Sequence, residues 1–319
     1  MTMANGERTY QFKALTDLWT GSVTLEERNG QMKEKTGPDR LITTGLLGSI
    51  RWWFEVLVRG LDGSACDPTG TKCGDRDHCV VCELFGCTGW ARKFRFEVLD
   101  GNGNTKRSGQ TFNLHFTPLR PICGEEWTLL DVTLRLIAEY GAIGGKTVFK
   151  PTDESSRARQ LHHKDYGLVE MVSPQQFDGT DLGDLGKYLS KWRKLNHGEF
   201  AWASLQHFWC VNGKYLGRID SNKSTFNQVL GRQEAKNQGQ QLATRNDGTA
   251  RWLAGSQQES KKVFSFKDPA RTFGFVKPGL IDFNTMKQRL TNAWGQNGWD
   301  FLAGDMIINQ LFAGKGDSS

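Results

Sequence analysis

The sequence predicts an α+β fold. Two observations carry this: short stretches of alternating polar and apolar residues recur along the chain, and they are mixed with amphipathic segments of helical period rather than alternating regularly with them. A third observation adds a feature to that fold. Four cysteines crowd into a polar loop that cannot build a core of its own and is expected to fold around Zn²⁺.

The chain has 319 residues, enough for one large domain or two ordinary ones. A net charge of +6 and a pI of 8.9 favour acidic partners but are too mild to prove nucleic-acid binding. No apolar run approaches the roughly 20 residues of a membrane helix. The opening MTMANGERTYQF lacks the apolar core of a secretory signal, so a soluble, cytoplasmic protein is expected. Seven cysteines, an odd number with four or five crowded together, suit a metal in a reducing compartment better than a disulfide framework.

Thr9 to Leu15 alternates Tyr10, Phe12 and Ala14 against Gln11 and Lys13, the pattern of a half-buried strand. Thr20-Gly21-Ser22 reads as a turn, 23–28 as further strand and the polar 29–39 as loop. Arg40 to Thr43 leads into the longest helix, Thr43 to Leu61. Its apolar residues Leu46, Leu47, Ile50, Trp53, Phe54, Leu57, Val58 and Leu61 form one broad face. Thr43 or Thr44 can cap its start, and Gly60 suits its end. Arg51, Glu55 and Arg59 form a separate stripe, expected on the exposed side, where Glu55 can pair with both arginines.

Cys66, Cys73, Cys79 and Cys82 follow, separated by Gly, Asp, Pro, Thr and Lys. Four thiolates complete a tetrahedral zinc site with no open position, so a structural rather than catalytic metal is expected. His78 is an alternative ligand, Cys87 a fifth candidate, and a redox Cys-x-x-Cys the competing reading. Ala91 to Val98 alternates again, with Arg92 or Lys93 and Arg95 facing outward. Basic residues interleaved with aromatics suit a nucleic-acid-binding sheet and equally an ordinary edge strand. Residues 101–109 read as a hairpin-like loop, 111–117 as strand, and 126–137 as a strand or the start of a helix.

In Tyr140 to Thr147, YGAIGGKT, the glycines let backbone N–H groups approach an anion and Lys146 supplies charge. The spacing is not that of a Walker A loop, and a plain turn is the alternative. A basic-leaning insert, 148–164, contains Arg157, Arg159, His162 and His163, and Asp165 to Val169 turns into a strand.

Beyond residue 170 a basic amphipathic helix is expected at 182–195, a core element at 200–211 and a strand at 214–219. A polar, partly helical stretch covers 221–262. Strands are expected at 263–266 and 273–276, a helix at 281–294 and a last apolar element at 299–312. A domain boundary is expected near 170, giving lobes 1–170 and 171–319.

The ordered set of GLLGSIRWW, a cysteine loop leading into LFGCTGWARKFRF, and a split GAIGGKT…DYGLV resembles the RAMP superfamily of CRISPR proteins. Within it, the double tryptophan after Arg51 and the LFG-x-x-GWA element resemble the first-subunit family of the type III-B effector (Cmr) complex. The likeness spans Gln11 to Val169. It implies two ferredoxin-like (RRM-like) lobes, the first carrying the zinc loop. It implies a non-catalytic subunit for antiviral defence that contacts guide RNA toward its 3′ end, or the paired target RNA, beside the other subunits of the complex. Arg51, Lys146 and Thr147 match the family's RNA-contacting positions. With the nearby basic residues and glycines, the candidate RNA-binding set is Arg40, Arg51, Lys93, Arg95, Gly144, Gly145, Lys146, Thr147, Arg157 and Arg159. The alternative within the family is a metal-independent endoribonuclease, for which His115, His162, His163 and His197 are candidate bases. Such relatives usually keep the glycine loop near the C-terminus, whereas about 150 residues follow it here.

Overall fold

The structure is a computed structural model. It describes residues 6–21, 23–28, 31–36, 40–66, 73–74, 77–99, 103–144, 150–158, 160–172, 180–195, 198–232, 248–255 and 259–313. The chain divides into two compact units. The first comprises Met1–Lys146, Tyr166–Gln206 and Asp305–Ser319, and the second Thr147–Asp165 and His207–Gly304.

The first unit contains β1 (Arg8–Ala14), a hairpin of β2 (Val23–Arg28) and β3 (Gln31–Thr36), α1 (Thr43–Gly60), α2 (Val80–Phe85), β4 (Phe94–Leu99), β5 (Thr111–Pro118), α3 (Gly124–Glu139), β6 (Val169–Met171) and α4 (Leu182–Ser190). Its main sheet is antiparallel, in the order β4-β5-β1-β6. Strand, helix, two strands, helix, strand in that order is the ferredoxin-like arrangement. Period-two alternation sends Tyr10, Phe12, Phe94, Phe96, Phe112, Leu114 and Phe116 inward, where they are buried. Their layer is covered by α1 and α3, which pack together. Within it Arg8 donates to Asp131 of α3 at 2.8 Å, and the Tyr10 hydroxyl donates to the same carboxylate.

The second unit contains β7 (Phe208–Asn212), α5 (Thr225–Leu230), α6 (Gly248–Ala254), β8 (Val263–Lys267), β9 (Ala270–Phe275), α7 (Phe283–Trp294) and β10 (Leu302–Ala303). Its antiparallel sheet runs β10-β7-β9-β8, so the first unit's strand order is repeated. The chain then returns to the first unit as α8 (Gly304–Phe312), where Arg135 of α3 donates to the Leu311 carbonyl at 2.6 Å.

Three expectations are corrected and one open reading is resolved. The 29–39 stretch contains strand β3, which the alternation test misses because QMKEKT is polar at nearly every position. The ambiguous 126–137 segment is helical, opened by a capping box in which Glu126 reaches back to the Cys123 N–H at 3.0 Å. The 214–219 stretch forms no strand, only isolated bridges from Arg218 to Thr152 and Ser224. The units do not separate near 170: the 147–165 insert groups with the second, while 166–206 and the C-terminal helix group with the first.

Candidate metal centre and nucleic-acid face

The sulfur atoms of Cys66, Cys73, Cys79 and Cys82 all lie within 4.8 Å of one another, and all four residues are buried. A tetrahedron of thiolates around zinc, with Zn–S of about 2.3 Å, has edges of about 3.8 Å. The Cys66 and Cys82 sulfurs are 3.4 Å apart, far longer than a disulfide and close to such an edge. The donor set therefore fits a soft, four-coordinate cation. The hydrogen bond to Cys79, with burial, pushes the Cys66 thiol up to about 12. Hydrogen bonds with Cys66 and Cys82 pull the Cys79 thiol well below its ordinary range.

Local structure explains the cluster. Cys79 is the N-cap of α2 and donates its N–H to the Cys73 sulfur at 3.4 Å, while Cys82 sits one turn into that helix. His78 does not substitute for a thiolate. Its Nδ1 lies 3.1 Å from the Gly74 carbonyl and its Nε2 2.6 Å from Glu83, while its ring lies against Trp90 and Trp192. Cys87 stands outside the four-sulfur group.

The arginine stripe of α1 faces this centre. Glu55 and Arg59 are buried rather than exposed as expected. Arg59 donates to the Ala203 carbonyl at 3.0 Å and approaches Glu55 at 3.7 Å. Arg51, its side chain 25% exposed, donates to Glu55 at 3.1 Å and to the Gly86 carbonyl at 2.8 Å. Its Nη2 reaches the Cys82 and Cys66 sulfurs at 3.5 and 3.9 Å. Burial alone would lower the Arg51 pKa, but Glu55 and the cysteines outweigh it and the net shift is upward. The helix reads as one-sided in sequence because Arg and Glu score as polar. In the fold the cysteine segment and the 203–205 segment cover its second side.

Lys93 is likewise drawn inward. Its Nζ lies 2.6 Å from Glu83 and 2.8 Å from Glu126, whose side chain is fully buried and also accepts from the Tyr188 hydroxyl at 3.0 Å. A buried carboxylate requires such a cation. Arg95 does face outward on β4, 58% exposed and paired with Glu97 at 2.9 Å. The registers put Arg95, Glu97, Leu99, Thr117, His115, Asn113, Thr9, Gln11 and Lys13 on one sheet face, with His115 the one ring among them. Phe94 and Phe96 alternate with the basic residues but point into the core, so they are not on this face to stack bases.

A different edge gathers polar backbone. Thr20 accepts from the Ile42 N–H at 2.7 Å and donates to the Arg40 carbonyl at 3.2 Å, tying the 18–21 turn to the start of α1. Arg40 is exposed and bridges Asn104. The N-cap of α1 is Ile42, not Thr43 or Thr44. It has no side-chain cap, and no acidic residue occupies the first turn. Gly144 adopts φ +116°, and a Cβ there would lie 2.9 Å from the Trp19 carbonyl, so glycine is what lets the loop close on the turn. Its N–H donates to Ser49 of α1 at 3.1 Å, and Trp53 donates to the Ala142 carbonyl at 2.8 Å. Ser49 and Trp53 stand roughly 200° around the helix from Arg51 and Glu55. The glycine loop therefore meets α1 on the side away from Arg51.

Arg157 lies in the second unit and pairs with Glu154 at 2.8 Å. Gly145, Lys146, Thr147 and Arg159 lie outside the described residues. Of the candidate bases, His115 lies 2.7 Å from the Thr9 hydroxyl in the first unit and His163 lies 2.8 Å from the Lys150 carbonyl in the second, while His197 lies outside the described residues. The uncapped start of α1 and the Arg51 contact to sulfur were both missed in sequence. The absence of an acid in residues 43–46 was a signal for the first, and nothing in the sequence pointed to the second.

The first unit has a ferredoxin-like strand order, and residues 11–149 match the family model of the RAMP superfamily. Among solved structures the chain is similar to Cmr1 from Pyrococcus furiosus in its apo form, at 9% identity with 97% of each chain covered and a TM-score of 0.41. A search of curated proteins gives no match. Among the described residues no helix is long and apolar enough to cross a membrane.

Proposed function

We propose that the protein is a non-catalytic, RNA-binding subunit of a type III-B CRISPR effector complex in the cytoplasm, acting in antiviral defence. It holds the backbone of guide RNA toward its 3′ end, or of the paired target, and its partners are that RNA and the other subunits. The observation that carries the reading is the convergence of the 18–21 turn, the uncapped start of α1 and Gly144, with Arg40 exposed beside them. A helix start without a side-chain cap and a close-approaching glycine backbone suit phosphate. Lys146 and Thr147 follow in sequence, outside the described residues, and the motif resemblance supports an RNA contact for them. Contacts of this kind position a backbone and carry little sequence information, as a subunit handling many different guides requires. The motif resemblance and the superfamily match support the complex assignment.

The metal is assigned as Zn²⁺ held by Cys66, Cys73, Cys79 and Cys82. It supplies no reacting position and fixes the segment between α1 and β4. Purification from the native source tests the main reading. Recovery with guide RNA and several RAMP-type subunits is expected; recovery as a lone protein free of RNA contradicts it. Replacing His115, His162, His163 and His197 together is expected to leave RNA binding intact and to remove no cleavage. A cleavage activity lost in that variant would favour the endoribonuclease.

A further inference from the structure

This inference rests on the four-cysteine metal reading and concerns what faces the sulfurs. Zinc with four thiolates carries a net charge of −2, and here all four donors are buried. A buried charge is costly unless it is paired and hydrogen-bonded. The Arg51 guanidinium is built to do both. Its Nε is fixed by Glu55 at 3.1 Å and its Nη1 by the Gly86 carbonyl at 2.8 Å, which leaves Nη2 aimed at Cys82 and Cys66 at 3.5 and 3.9 Å. Glu55 is shared with Arg59 at 3.7 Å, so that second arginine offsets the carboxylate.

We infer that Arg51 is a positioning residue of the metal–thiolate centre, donating N–H···S hydrogen bonds to Cys82 and Cys66 and halving the net charge of the site. Hydrogen bonds to ligating sulfur weaken its donation to the metal and orient it, and such outer contacts commonly change metal affinity by about 10- to 100-fold. The fork geometry explains arginine here. A lysine ammonium is a point charge and cannot hold a carboxylate, a carbonyl and two sulfurs in one plane. Two roles that the motif resemblance merges lie apart on α1. Arg51 serves the metal on one side of α1, while the glycine loop meets the other side, at Ser49 and Trp53.

The test uses the full chain loaded with Zn²⁺ or Co²⁺, as wild type, Arg51→Met and Arg51→Lys. The wild type is expected to bind one equivalent. Arg51→Met is expected to release zinc to excess chromophoric chelator at least about tenfold faster. Its thiolate-to-cobalt charge-transfer band is expected at lower energy, because sulfur relieved of hydrogen bonds is the stronger donor. Arg51→Lys should restore part of the affinity while keeping a shifted band. Loss of packing alone does not move that band in protein that still binds one equivalent. Wild type binding under half an equivalent overturns the metal reading and the inference with it. One equivalent in the wild type, with unchanged band and release rate in Arg51→Met, overturns the inference alone. If Arg51→Met does not fold, an Arg51→Lys band identical to the wild type overturns it.

Discussion

Lys93 and Arg95 stand two apart in one basic stretch and have opposite fates. Arg95 lies on the open face of the sheet, while Lys93 precedes the strand and sits between Glu83 and Glu126. Charge pattern alone cannot separate them, because the two carboxylates come from helices ten and thirty-three residues away. Removing one partner of a buried ion pair costs about 3–5 kcal/mol. Lys93→Ala is therefore expected to lower stability by that order in chemical denaturation. The salt dependence of RNA binding by the folded fraction should not change. A reduced salt slope with unchanged stability would return Lys93 to the RNA-contacting set.

At the scale of elements, the 66–85 segment is expected to depend on the metal proposed for its four cysteines. It contributes Val80, Val81, Leu84 and Phe85 to the buried core through one short helix, and α2 begins on Cys79 of the four-cysteine cluster. Thiolates must be deprotonated to bind, so chelator or mild acid releases the metal and binding free energy is lost as folding free energy. Removing zinc with chelator is expected to open this segment to proteolysis first, with cleavage between Cys66 and Cys82, while the β4-β5-β1-β6 sheet persists. Uniform resistance of metal-free protein would show that the clamp is dispensable. This site was largely legible in sequence, since ligand identity and spacing are local. Its surroundings were not, because Arg51, Glu55 and Arg59 read as a solvated stripe until the segments that bury them are in place. The long helix, the first strand and the sheet alternation were also legible, each carried by apolar periodicity within one segment. Strand β3 was not, because it has no apolar face.

At the scale of the whole chain, two units repeat one strand order, yet the repeat is nearly invisible in sequence. The second unit's closing strand, β10, spans only Leu302–Ala303, too short for any alternation, and its inner strands are buried at nearly every position. The units also interleave along the chain, which no composition shift marks. The first unit carries the proposed RNA grip. The central claim is that a phosphate backbone is held where the turn at Thr20 and the loop at Gly144 meet the start of α1. The most direct measurement is RNA affinity as a function of salt for the wild type and for an Arg40→Glu, Lys146→Glu variant of unchanged folded stability. Each lost phosphate contact on single-stranded RNA should lower the logarithmic salt slope by about 0.7, and affinity at low salt should fall more than about tenfold. Identical slope and affinity in the two proteins would contradict the claim.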